Sequence, residues 1–245
     1  MGELKLQKMP SVRRLPTYLH KLMEMRQSGQ DIVATPELAR YMRCSEIAVR
    51  KDLAITGAVG QPGVGYRIKD VIEAIRSYLH WDVQCEAVLV GAGSLGAALM
   101  GYDGFEEYGL KILAAFDADP SKIGGTIHGR QIFDVTRLPE LCRKLQVSLG
   151  IICVPAQYAQ EVADLLVQGG VRGIWNFANV RLTVPDEVVV QREVIAGGLA
   201  ELSVKLQHSG DADGHRDIQG QDIRSIETNS NGERSFDGVK KRGAI

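Results

Sequence analysis

Gly91-Ala92-Gly93-Ser94-Leu95-Gly96 follows the short apolar run Ala87–Val90 without a break. Glycine at the first, third and sixth places is the spacing of a loop that seats a dinucleotide pyrophosphate. Gly91 permits a tight turn, Gly93 lets phosphates approach, and Gly96 lets the following helix pack on the sheet. The helix start would offer free N–H groups and a partial positive charge to the anion. Asp117 ends the next apolar run, about 20 residues on, where a carboxylate accepts hydrogen bonds from ribose hydroxyls. A carboxylate there repels a 2′-phosphate, so NAD(H) is expected over NADP(H). The bland alternative is a glycine turn in a domain that holds no ligand.

The apolar runs ending in Cys153-Val154-Pro155 and Asn176-Phe177-Ala178 should bring Val154, Pro155 and Asn176 to the nicotinamide end of the site. Catalytic machinery is harder to find. Of 5 histidines only His128 falls inside this stretch, in a polar loop. A dehydrogenase needs a proton donor within reach of its substrate, and no convincing one is present. The expectation is no catalytic residue and no metal, with the nucleotide acting as a signal.

Elements able to hold this site follow from period and length. Strands are expected at 86–91, 111–117, 131–135, 148–154, 173–177 and 187–191, with helices at 94–102, 136–145 and 156–169. Such alternation gives a doubly wound parallel sheet of Rossmann type, with helices on both faces.

The residues before about 80 follow another pattern. Leu15, Tyr18, Leu19, Leu22 and Met23 recur at helical spacing, with Pro16 suited to the first turn. Thr35 is a cap for a second helix, with Pro36 at its first position. Ser45 caps a third, on which Ile47, Ala48 and Leu53 face inward and Glu46, Arg50 and Lys51 outward. Only Arg43 to Ser45 separates these two helices, which is the layout of a helix-turn-helix. The glycine-rich segment ending in Tyr66-Arg67 reads as a hairpin wing.

Charge agrees with that division. Residues 1–80 carry 13 Lys/Arg against 8 Asp/Glu, a balance of +5, and the remainder carries 16 against 22, a balance of −6. A basic front half suits a polyanion such as DNA. The 4 cysteines are scattered, with no CxxC pair, which speaks against a zinc site or a disulfide framework. No apolar run approaches the roughly 20 residues a membrane helix needs, and no apolar signal core opens the chain, so a cytoplasmic protein is expected. Residues 209–245 are poor in apolar groups and are expected to form a disordered tail. The expected domains are thus 1–80, 81–208 and that tail.

The segments RRLPTYLHKL, AVRKDLAITGAVGQPGVGYRI, VLVGAGSLGAALMGYDGF, AAFDADPSKIG and WNFANVRLTVP, in this order, resemble the Rex family of bacterial redox-sensing repressors. The likeness spans about residues 10–208. It implies a homodimer on a palindromic operator of double-stranded DNA, released when NADH displaces NAD+. It also implies a C-terminal helix, about Leu199 to Gln207, that is swapped between subunits, and a tyrosine, Tyr102, near the nicotinamide. Ile195 joins Tyr102, Pro155 and Asn176 as a nicotinamide contact. Arg13, Arg14, Ser45, Glu46, Arg50, Lys51, Tyr66 and Arg67 form the expected DNA-binding set. Two departures stand out. The wing has Gln61-Pro62 where many members have cations, and the interdomain pair of the family falls on His20 and Val194, with Glu193 alongside. The other reading is a small NAD-dependent oxidoreductase with a helical N-terminal extension.

Overall fold

The structure is a computed structural model that describes residues 9–210. The first helix, α1 (Met9–Gln27), buries Leu15, Tyr18, Leu19, Leu22 and Met25 on one stripe. It begins well before Pro16, which therefore sits inside the helix and not in its first turn. A proline there has no N–H for the carbonyl of Val12, so one intrahelical hydrogen bond is missing.

β1 (Ile32–Val33) leads to α2 (Thr35–Met42), whose N-cap is Ala34, with no side-chain cap. Thr35 is already helical, contrary to the expected cap, and Pro36 brings no N–H for a cap to satisfy. Arg43 closes α2 in the left-handed conformation at φ 50°. Ser45 then caps α3 (Glu46–Ala54), accepting from the Ala48 N–H at 3.2 Å. The buried stripe of α3 is Val49, Asp52 and Leu53, while Ile47, expected inside, is 62% exposed.

The wing is tighter than a full hairpin. Gln61 and Gly65 form one antiparallel bridge, and β2 (Tyr66–Arg67) pairs with β1 rather than with the other arm of the wing. α4 (Ile68–Tyr78) packs Ile68, Val71, Ile72 and Ile75 against α1, completing a core around Tyr18 and Leu22.

The sheet follows as β3 (Cys85–Val90), α5 (Ser94–Met100), α6 (Gly104–Glu107), β4 (Leu110–Asp117), β5 (Thr126–Ile127), β6 (Arg130–Asp134), α7 (Leu138–Leu145), β7 (Leu149–Ile152), α8 (Ala159–Gln168), β8 (Gly173–Asn176) and β9 (Val189–Arg192). The strand order is β5-β6-β4-β3-β7-β8-β9, parallel throughout except for β5 against β6. All six expected strands are present, and β5 and α6 are additions. The order reverses between β3 and β7, which opens a crevice at their C-terminal ends. One face of the sheet builds a core with Leu138 and Leu141 of α7 and Val162 and Leu166 of α8. The other face collects Leu89, Ile112 and Ile151 with Met100.

Among the described residues, 195–210 fall in a unit separate from the rest. Its helix, α9 (Ala196–Gly210), leaves Leu199, Leu202, Val204 and Leu206 exposed. Ser209 and Gly210 end α9, and the rest of the expected tail lies outside the described residues.

Candidate functional site

The glycine loop sits at the switch point. Gly91 has φ +103°, and a Cβ there would lie 2.6 Å from the Cys153 carbonyl oxygen. A Cβ on Gly96 would collide with the Gly91 carbonyl oxygen. Both positions exclude any side chain because β3, β7 and α5 come together there. Gly91, Ala92 and Gly96 are buried, whereas Gly93, Ser94 and Leu95 are exposed. The exposed three open α5, where backbone N–H groups lack intrahelical acceptors. The space beside Gly93 is empty, with no atom within 4 Å of a Cβ placed there.

Asp117 is tied into this loop. Its Oδ2 accepts from the Ala92 N–H at 2.8 Å, and its Oδ1 accepts from the Asp119 N–H at 2.9 Å. Lys122 Nζ donates to Oδ2 at 3.1 Å. Burial pushes the Asp117 carboxyl up, but the bonds from Asp119, Lys122 and Ala92 outweigh it and hold the group below its ordinary range. The carboxylate is thus ionised, oriented and still partly exposed. Lys122 escaped the sequence reading. Its signal was the turn Asp119-Pro120-Ser121, which returns a cation to a carboxylate five residues earlier.

The nicotinamide candidates divide. Tyr102 is 52% exposed, Pro155 is exposed and Val154 is half-buried beside Gly91. Asn176 is corrected: it is fully buried, its Oδ1 accepting from the Ala178 N–H and its Nδ2 donating to the Val180 carbonyl. A buried amide must satisfy its own polar atoms, so its side chain shapes the loop after β8 and does not face a ligand. Ile195 opens the second unit and is exposed. The His128 ring lies against Gly101, where a Cβ would come within 2.5 Å of Nε2. Burial pushes the Cys153 thiol up to about 12, so it is no nucleophile at neutral pH.

On the N-terminal part, Arg50, Lys51 and Arg67 are exposed. Arg50 Nη2 stands 3.4 Å from Glu46 Oε2, one turn earlier on α3. Glu46 therefore steers Arg50, and Ser45 is committed to its cap. A groove of about 400 Å³ runs between Thr35 and Pro36, Arg50 and the wing residues Gln61 to Tyr66. Tyr66 is half-buried, its ring lying against Gly60. Arg13 is exposed on α1.

Arg14 is the second correction. Its Nε and Nη2 each donate to Asp52 at 2.6 Å, and the Tyr18 hydroxyl donates to Asp52 Oδ2 at 2.9 Å. Asp52 is fully buried on α3. A buried carboxylate needs such donors, so the fork of Arg14 is engaged by Asp52 while 37% of its side chain stays exposed. His20 pairs instead with Glu24 along α1 at 3.2 Å, while Val194 lines a cleft with Met9 and Arg13.

Two family models match the chain: "Putative DNA-binding protein N-terminus" over residues 9–54 and "CoA binding domain" over residues 82–180. A redox-sensing transcriptional repressor Rex of Treponema denticola is 43% identical over 206 residues, covering 84% of this chain and 98% of its own. The chain belongs to the Rex family. A Rex of Clostridium beijerinckii is 40% identical over 82% of this chain and 95% of its own. Among solved structures, a Rex-family repressor in complex with β-NAD+ and operator DNA aligns with a TM-score of 0.76 at 31% identity, covering 82% of this chain and 93% of that one. The same repressor with β-NADH aligns at 0.75 and 29%, over 82% and 94%. Both relatives are named redox-sensing transcriptional repressors.

Proposed function

We propose that the protein represses transcription according to the NADH/NAD+ ratio, in the cytoplasm, as a dimer on a palindromic operator. The carrying observation is the pairing, in one chain, of a loop-and-carboxylate nucleotide site with a helix-turn-helix whose Arg50 and Lys51 are free of the core. No helix among the described residues is long and apolar enough to cross a membrane. The test is operator affinity titrated separately with NADH, NAD+ and NADPH. NADH should weaken binding, and NAD+ and NADPH should not. Indifference to all three would defeat the reading.

Asp117 supplies the preference for a free ribose 2′-hydroxyl. Asp117→Ala should weaken NADH binding by roughly 1.5–3 kcal/mol, the range for a hydrogen bond to a charged group. NADPH should lose less, because the repulsion goes and Lys122 is released. Calorimetric titration of both nucleotides checks this, and equal binding of both by the wild type would refute the assignment.

α3 enters the major groove with Arg50 and Lys51 leading, one at a base edge and the other at a phosphate. Replacing the base reader by alanine should cost about 1–3 kcal/mol and relax specificity at one position. Replacing the phosphate contact should weaken all sequences alike and lower the salt slope by about 1. If Arg50→Ala and Lys51→Ala both leave affinity and slope intact, α3 is not the reading helix.

The dimer forms through α9. A stripe of Leu199, Leu202 and Leu206 seeks burial, and a mainly apolar cleft of about 490 Å³ lies between α1 and the open face of β7 to β9. In this reading the α9 of a second copy fills that cleft and links both nucleotide sites to both DNA-binding parts.

A further inference from the structure

Besides its buried stripe, α3 turns a second stripe to solvent. Ile47, Arg50, Lys51 and Ala54 are exposed, at helical spacings of three, four and seven from the first, opposite Val49, Asp52 and Leu53. The phase of that stripe is fixed, because Asp52 is bonded to Arg14 and Tyr18 of α1. At the start of α3 the polar side chains are committed. Ser45 accepts from the Ala48 N–H, and Glu46 holds Arg50 at 3.4 Å. Ile47 is 62% exposed and takes no part in the core around Tyr18 and Leu22.

A single exposed isoleucine needs no explanation of its own. The place of this one does. A β-branched residue is a poorer helix former than alanine or lysine, so local folding does not call for it there. Helical Cα–Cβ bonds tilt toward the N-terminus. Ile47 therefore leads the stripe at the end where recognition helices meet base edges, with Arg50 and Lys51 one turn behind it.

We propose that Ile47 is a specificity-determining residue that covers the C5-methyl group of one thymine in each half of the operator. The inference rests on the repressor reading above and adds an apolar contact to the two cationic ones. The thymine methyl is the one apolar mark in the major groove, where guanine, adenine and cytosine present donors and acceptors. Isoleucine can bond none of these. Set against another base, it would strip water from a polar edge and replace nothing. Preference for thymine thus comes from attraction to the methyl and from a penalty at the other bases.

The test uses a palindromic duplex that the full-length wild type selects from a random library. Each thymine is replaced in turn, in both half-sites, by deoxyuridine, which pairs alike and lacks only the methyl group. At one position wild-type binding should weaken by about 4-fold per half-site, the weight of one buried methyl group. Ile47→Ala should bind the parent duplex more weakly and be indifferent to deoxyuridine at that position. Ile47→Val, one carbon shorter, should respond by an intermediate amount. NADH affinity should be that of the wild type in both variants. A wild type insensitive to deoxyuridine at every position overturns the proposal. So does an Ile47→Ala protein that keeps the full response at every sensitive position. If Ile47→Ala does not fold, Ile47→Val decides, and a full response in it overturns the proposal. A wild type that selects no sequence refutes the repressor reading instead.

Discussion

Replacing Arg14 by alanine is expected to destabilise the protein by about 3–5 kcal/mol, the usual cost of stripping the partner from a buried charge. Asp52 is fully buried and keeps only Tyr18 and Ser11 as donors once Arg14 is gone. Part of the Arg14 side chain, 37%, is exposed, so solvent screening favours the lower end of that range. Urea unfolding followed by circular dichroism measures the difference. Its pH dependence is the sharper check. In the wild type, burial raises the Asp52 carboxyl, but the bonds from Arg14, Ser11 and Tyr18 outweigh it and hold it below its ordinary range. A depressed carboxyl contributes stability that is present above the unfolded value, about 3.9, and lost as pH falls through the folded one. In Arg14→Ala the burial effect remains and its largest opponent is gone, so the carboxyl rises. The gap between the two proteins should be widest at neutral pH and narrow below about pH 4. A gap independent of pH would mean that Arg14 contributes packing and not charge. Arg13→Ala, one residue away but exposed, should be nearly silent in stability.

The larger effect on function is expected from ending the chain after Gly198. A single winged helix touches only a few base pairs, and specificity needs two held about one or two turns of DNA apart. Losing Leu199, Leu202 and Leu206 removes the face assigned to the dimer. The truncated protein should run as a monomer and bind operator no better than unrelated DNA, about 1,000-fold weaker or more. Unfolding is not the expected cause, because residues up to Val194 hold their own compact unit. Light scattering and gel shifts on one preparation separate the two. In the proposed dimer a 100-fold NADH effect would require about 2.7 kcal/mol of differential binding between domain arrangements. A truncated protein that stayed dimeric and still released DNA with NADH would overturn this account.

The parts of the fold that repeat were legible in the sequence. Strands β3, β4, β6, β7, β8 and β9 are apolar runs between turn residues, and the glycine loop marks where the first of them ends. β5 has two residues and α6 four, too few to show any period. The misread residues share a cause: a tertiary partner that no local pattern reveals. Asp52 carries no local signal of its burial, because its partner Arg14 lies 38 positions earlier. Ile47 looked like core because it is apolar, yet its phase on α3 points outward. Asn176 stood at the right strand end, but its amide is used up by the loop that follows. The position of Asp117 beside the glycine loop followed from its spacing alone, whereas Lys122 needed the turn between them to be folded.

The chain has two tryptophans, Trp81 and Trp175, and both line the cleft against α1. Trp81 also stacks on Tyr108 at 4.9 Å, across the boundary from α4 to α6. Every photon of indole emission from this protein therefore originates at one seam. Opening the seam, or filling it with another helix, changes the polarity around both rings at once. The unlabelled protein carries its own optical gauge of that movement, and Trp81→Phe and Trp175→Phe would divide the signal between its two walls.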